Sequence, residues 1–229
     1  DTTALDTKRQ KDFDALLALA HPQYKAALVG TNQKNVETST NGVNELARYW
    51  KNVRDLYAVT PPPAFNGDNQ WPTDLAKIVQ AVSEAQAAIQ SGDLSKGHEA
   101  LEPVREILLE VRTRNGVPIF EDQMTLFHSV MEAVTAPTAN KTVETLTSAD
   151  VEAVKAAYPA IADAFKRIEK APDGHFDAAQ AQGYTALVQS EASTIAALDT
   201  ALKTGDKAAI IKTAADLKTT FSRLFAQYG

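Results

Sequence analysis

Residues 87–116 (AAIQSGDLSKGHEALEPVREILLEVRTRNG) align without a gap on residues 200–229 (TALKTGDKAAIIKTAADLKTTFSRLFAQYG). The identities are few: Ala88/Ala201, Gly92/Gly205, Asp93/Asp206 and Gly116/Gly229. The spacing of apolar residues agrees better than the letters do. Two further pieces repeat in the same order. Leu46–Val53 (LARYWKNV) matches Ile161–Ile168 (IADAFKRI). Residues 13–28 (FDALLALAHPQYKAAL) match residues 120–135 (FEDQMTLFHSVMEAVT), with Phe13/Phe120 and His21/His128 in register. Three matching pieces in one order imply a tandem duplication, so whatever the first half folds into, the second half must fold into as well.

The repeated pattern is helical. Ala, Leu, Lys, Glu and Gln dominate, and the alternation of β-branched residues that marks strands is nearly absent. The periodicity predicts eight helices, over about 7–29, 38–58, 72–91, 94–115, 119–136, 148–171, 176–203 and 207–228. Gly92 and Gly205 suit the left-handed position that ends a helix. Asp93 and Asp206 follow as N-caps of the next one. Thr147 with Asp150 forms a capping-box pattern. Residues 59–71 (VTPPPAFNGDNQW) read as a loop, and residues 137–146 as a connection. An amphipathic helix needs neighbours to bury its apolar stripe. The expected fold is therefore all-α, with two tandem antiparallel four-helix bundles from an internal duplication, over residues 1–117 and 118–229.

Composition excludes several classes of function. The chain has 229 residues, of which 44% are hydrophobic, enough to build real cores. No run of about 18 apolar residues occurs, so no membrane span is expected. The net charge of −6 and the lack of a basic stripe speak against nucleic acid as a partner. With no Cys, disulfides, thiolate metal sites, Cys nucleophiles and iron–sulfur clusters are excluded. The chain opens on Asp1, as an exported protein does after its signal peptide is removed, and the expected location is the periplasm. No phosphate-binding glycine loop, nucleophile elbow or HExxH occurs, so the chain is not expected to be an enzyme.

Short pieces also resemble a known family. Ala214-Ala215-Asp216-Leu217-Lys218-Thr219-Thr220, ending in Gln227-Tyr228, looks like the last helix of the cytochrome b562 family. Ile168-Glu169-Lys170-Ala171 resembles the end of its first helix, and Thr60-Pro61-Pro62 its central loop. The resemblance implies a four-helix scaffold and a periplasmic setting. The family binds haem b through a Met and a His. Here the His position falls on Phe225, with Arg112 as its first-half counterpart, and the Met position falls on Tyr158. The resemblance therefore does not carry haem to this chain, and none is expected. The stretch from His98 to Glu132 also resembles a segment of exported proteobacterial proteins to which no activity is attached.

The scarce residues are four His and two Met. Met124, His128 and Met131 are spaced four and three apart and so share one helical face. Two thioethers and an imidazole on one face suit a soft cation, above all Cu(I). The plain alternative is core packing, because Met at this spacing usually fills core. The first half has Leu17 and Tyr24 at the corresponding places. His98 is the candidate fourth ligand. Its second-half counterpart is Ile211, so it is expected to face inward with a partner. Glu102 lies one turn on from His98, and Glu132 one turn on from His128. The short Asn115–Pro118 turn would bring the two pairs together as a hairpin. Two His and two carboxylates would suit a harder ion. His21 precedes Pro22 and reads as structural, and His175 reads as a solvated loop residue. Arg105, Arg112 and Arg114 read as solvated charges, with surface or interhelix pairs to Glu106, Glu110, Glu121 or Asp122 as the alternative.

Three functions follow. The first is an exported metal-binding protein, a copper carrier, chaperone or sensor, whose partners are the metal ion and a periplasmic protein. The second is a haem-binding bundle of the cytochrome b562 type with displaced ligands. The third is a metal-free module that binds a protein partner.

Overall fold

The computed structural model describes residues 2–229. Asp1, on which the expectation of a removed signal peptide rests, lies outside them. Among the described residues there are eight α-helices and no strand: α1 (Thr2–Asn32), α2 (Val36–Tyr57), α3 (Trp71–Gln90), α4 (Leu94–Arg114), α5 (Phe120–Thr135), α6 (Ser148–Ile168), α7 (Ala178–Thr204) and α8 (Lys207–Tyr228). Short 3-10 turns cover Pro63–Phe65 and Ala136–Thr138. The protein is all-α. Among the described residues no helix is long and apolar enough to cross a membrane.

The chain divides into two compact units, one ending at Pro118 and the other running from Ile119 to Gly229. In the first, α1 packs on α2 and α4, and α3 packs on α2 and α4. In the second, α5 packs on α6 and α8, and α7 packs on α6 and α8. Each helix thus covers its apolar stripe with two neighbours.

The helix ends follow from local chemistry. Gly92 and Gly205 take φ of +87° and +69°, a backbone conformation that residues with a Cβ rarely adopt. Asp93 then accepts the Lys96 amide at 3.0 Å, and Asp206 accepts the Ala209 amide at 3.1 Å. At the start of α6, Thr147 Oγ1 accepts the Asp150 amide at 3.1 Å, while Asp150 accepts the Thr147 amide at 2.8 Å. These caps satisfy N–H groups that the first helical turn leaves unpaired. Asp93→Ala and Asp206→Ala should each cost about 1 kcal/mol in urea unfolding. A cost near zero at both would mean that water replaces the caps.

Two segments depart from expectation. Helix α1 runs from Thr2 to Asn32, longer at both ends than the expected 7–29, and contains Pro22 as the periodicity requires. The loop expected over 59–71 holds a short helical turn, and Trp71 already belongs to α3.

The core of the first unit is aromatic at one end. The Phe13 ring lies 5.2, 5.5 and 5.8 Å from the rings of Tyr57, Phe65 and Trp71. Trp71 Nε1 donates to the Tyr57 carbonyl at 2.8 Å. Helices α1 and α2 approach closely at Gly42. A Cβ there would stand 2.7 Å from the Ala27 amide nitrogen.

Candidate functional site

Helix α5 carries the stripe of scarce residues. Met124 and Met131 have no exposed surface at all. His128, between them, is 16% exposed at its side chain. Its ring lies 5.9 Å from the Phe221 ring of α8, and Nε2 stands 3.6 Å from Glu132 Oε1. Glu132, half-exposed, also accepts Lys218 Nζ at 3.1 Å. Both thioethers therefore lie inside the second unit, His128 forms part of its wall, and Glu132 reaches its surface.

His98 and Glu102 belong to the first unit, not to the one that holds His128 and Glu132. His98 has the partners that an inward position demands. Nδ1 lies 2.9 Å from Thr31 Oγ1 and 3.2 Å from the Leu28 carbonyl. Nε2 lies 3.2 Å from Glu102 Oε1. Both ring nitrogens are thus engaged, and the residue fastens α4 to the end of α1. Glu102 also pairs with buried Arg105. On the same helix face the buried Tyr24 hydroxyl donates to the Leu101 carbonyl at 3.2 Å, and burial pushes its ionisation well up.

Two sequence expectations need amending. His175 is an exposed residue of the loop before α7, as expected, but it is not free of partners. Its ring packs 4.9 Å from Phe120 and 4.6 Å from Phe176, and Nε2 pairs with Glu121 at 3.2 Å. Arg114 pairs with Asp68 at 2.8 Å and Asp74 at 2.7 Å, because α3 and its preceding loop lie beside α4. Burial works to raise the Asp68 carboxyl, but hydrogen bonds from Arg114, Asn115 and the Gln70 amide outweigh it and hold it low.

One residue escaped the sequence reading. Glu191 on α7 is completely buried, and neither carboxylate oxygen has a hydrogen-bond partner. Burial pushes its ionisation up to about 8. Tyr184, Val188, Glu191, Ile195 and Leu198 are all buried along α7, so the carboxyl stands in the core stripe. The 113-residue offset between Asp93 and Asp206 carries Glu191 back to Ile78, which is also fully buried. The same offset pairs Trp71 with Tyr184, Leu75 with Val188 and Val82 with Ile195, all of them buried. An acid thus occupies a place that an aliphatic residue fills in the other unit. Extending the 87–116 alignment back by one helix would have found it.

Ring contacts fix the height of Glu191 within its unit. Tyr184 lies 6.0 Å from Phe120 and 5.4 Å from Tyr228, marking one end. Seven residues inward, about 10 Å at 1.5 Å per residue, stand Glu191, Phe127 and Phe221. The last two touch at 5.1 Å. Counted along the helices, Glu191 stands at about the height of Phe127, His128 and Phe221, between the levels of Met124 and Met131.

Comparison with protein-family models, curated proteins and solved structures finds no match. Among the described residues, no three His, Asp or Glu side chains gather within metal-binding range.

Proposed function

We propose that this chain is an exported, periplasmic metal-binding protein that carries, delivers or senses copper, using Met124, His128 and Met131. The observation that carries this reading is the α5 stripe. The chain's two thioethers are sealed from water on either side of a partly exposed imidazole. Sulfur and nitrogen donors without a thiolate favour Cu(I) over harder ions. A pair of donors behind a wall residue also suits holding an ion better than turning over a substrate.

The scaffold in this reading is two antiparallel four-helix bundles from one duplication. The same order of helix neighbours in both units supports it. So does the matched burial of Leu46/Ile161, Trp50/Phe165 and Val53/Ile168. This reading includes no haem, and two side chains at the positions that the cytochrome b562 resemblance designates support that. Phe225 offers no donor atom, and the Tyr158 hydroxyl is turned to the Ile195 carbonyl at 3.5 Å.

Titration with Cu(I) against a competing chelator tests the reading. The wild-type chain should bind one Cu(I) more tightly than Zn(II). His128→Ala should weaken binding at least tenfold. Met124→Leu should weaken Cu(I) selectively with little loss of stability, since the two side chains have similar volumes. Unchanged affinity in His128→Ala would remove the site from α5.

A further inference from the structure

We propose that Glu191 supplies the anionic donor of the copper site, reaching from α7 into the core layer that Met124 and Met131 bracket on α5. This rests on the copper reading of α5 and extends it to a second helix. Two incomplete features explain each other. The α5 donors are neutral, so Cu(I) held by them would bring an uncompensated positive charge into the core. Glu191 is a completely buried carboxyl with no hydrogen-bond partner on either oxygen; it rests protonated without a counter-charge, and on taking up Cu(I) it would release that proton to solvent. Burying either charge alone is costly, and bonding the carboxylate directly to the cation offsets part of that cost. A Cu(I) carboxylate is neutral overall.

The fold does not require this acid. Its counterpart in the first unit is Ile78, fully buried in the same stripe of α3. The first unit also has Leu17 and Tyr24 where the second has Met124 and Met131. The carboxyl and both thioethers therefore occur together in one unit and are all absent from the matching places of the other. Thioether and carboxylate together make a mixed soft and hard donor set. That set suits a singly charged, thiophilic ion better than Zn(II), which prefers imidazole, thiolate or several carboxylates.

The test uses the full chain with Cu(I) under reducing conditions and with Ag(I), a redox-inert ion of the same charge. Glu191→Gln keeps the shape of the side chain and removes its charge, and Glu191→Ile installs the residue found in the first unit. Both should fold, as judged by helical circular dichroism. Glu191→Gln should weaken Cu(I) and Ag(I) in parallel by about 100-fold. X-ray absorption at the copper edge should show sulfur scatterers in the wild type and the loss of one light scatterer in any copper-loaded variant. If Glu191→Gln binds both ions as the wild type does, while a Met124→Leu/Met131→Leu double variant loses them, Glu191 is no ligand and the α5 reading stands. If the wild type binds neither ion, both readings fall.

Discussion

Glu191→Ile should stabilise the metal-free second unit by about 3 kcal/mol at pH 7, with a much smaller gain at pH 4.5. The carboxyl is fully buried and its ionisation is pushed up to about 8, against an ordinary value of 4.5. Between those values the unfolded chain releases the proton, while the folded chain keeps it. The folded state then holds more protons, so stability falls as pH rises, by up to about 1.4 kcal/mol per pH unit. Below 4.5 both states are protonated and this penalty vanishes. Once pH exceeds the folded value, the penalty has reached its full size. Ile does not titrate, so the gap between variant and wild type should widen steadily across that window. Urea unfolding at pH 4.5, 6, 7 and 8, followed by circular dichroism, measures it. A gap that stays constant with pH would mean that the carboxyl finds a partner or water in solution.

Trp71→Ala should destabilise the first unit by about 4 kcal/mol. Trp71 has no exposed surface. Its ring lies 5.0 Å from Phe65 and 5.8 Å from Phe13. Truncation therefore opens a large cavity and also removes the donor to the Tyr57 carbonyl. Trp71→Phe should cost less than Trp71→Ala, because most of the volume is kept. The readout is selective, since both tryptophans, Trp50 and Trp71, lie in the first unit. In Trp71→Ala the fluorescence of Trp50 reports that unit alone, while circular dichroism reports the whole chain. The fluorescence transition should move to lower urea while a later part of the dichroism transition stays in place. A single transition that moves as a whole would show that the two units unfold as one.

Most of the helical framework is readable in the letters because helix ends are local events. Asp93, Thr147 and Asp206 cap helices through amides three residues away, and Gly92 and Gly205 adopt the positive φ that stops them. No long-range information is needed to place such ends. Pro22, exposed within a long helix, loses one backbone hydrogen bond and stays inside α1, where the periodicity places it. The partners of His175 and Arg114 are not local. Glu121 and Asp68 lie 54 and 46 positions away, and only the packing of helices brings them near. Of the residues picked out for chemistry, Met124, His128 and Met131 do share one stripe of α5, as their spacing requires. His98 and Glu102 form their own pair in the other unit. Glu191 was hidden because a single acid in an alanine-rich helix looks like a solvent-facing residue. Only the register of Tyr184, Val188 and Ile195, or the match with Ile78, turns it inward.

The pairing of chain neighbours sets the order in which such a molecule can assemble. In both units the most extensive packing joins consecutive helices: α1 with α2, α3 with α4, α5 with α6, and α7 with α8. Three of these pairs are linked by three residues or fewer. Contacts of this kind close small loops and give the fold a low contact order, the property that accompanies fast folding in helical proteins. A chain leaving the ribosome or a translocation pore would have each helical hairpin complete before the next one emerged. The slower event is then the docking of two finished hairpins, and in the second unit that docking must bury Glu191.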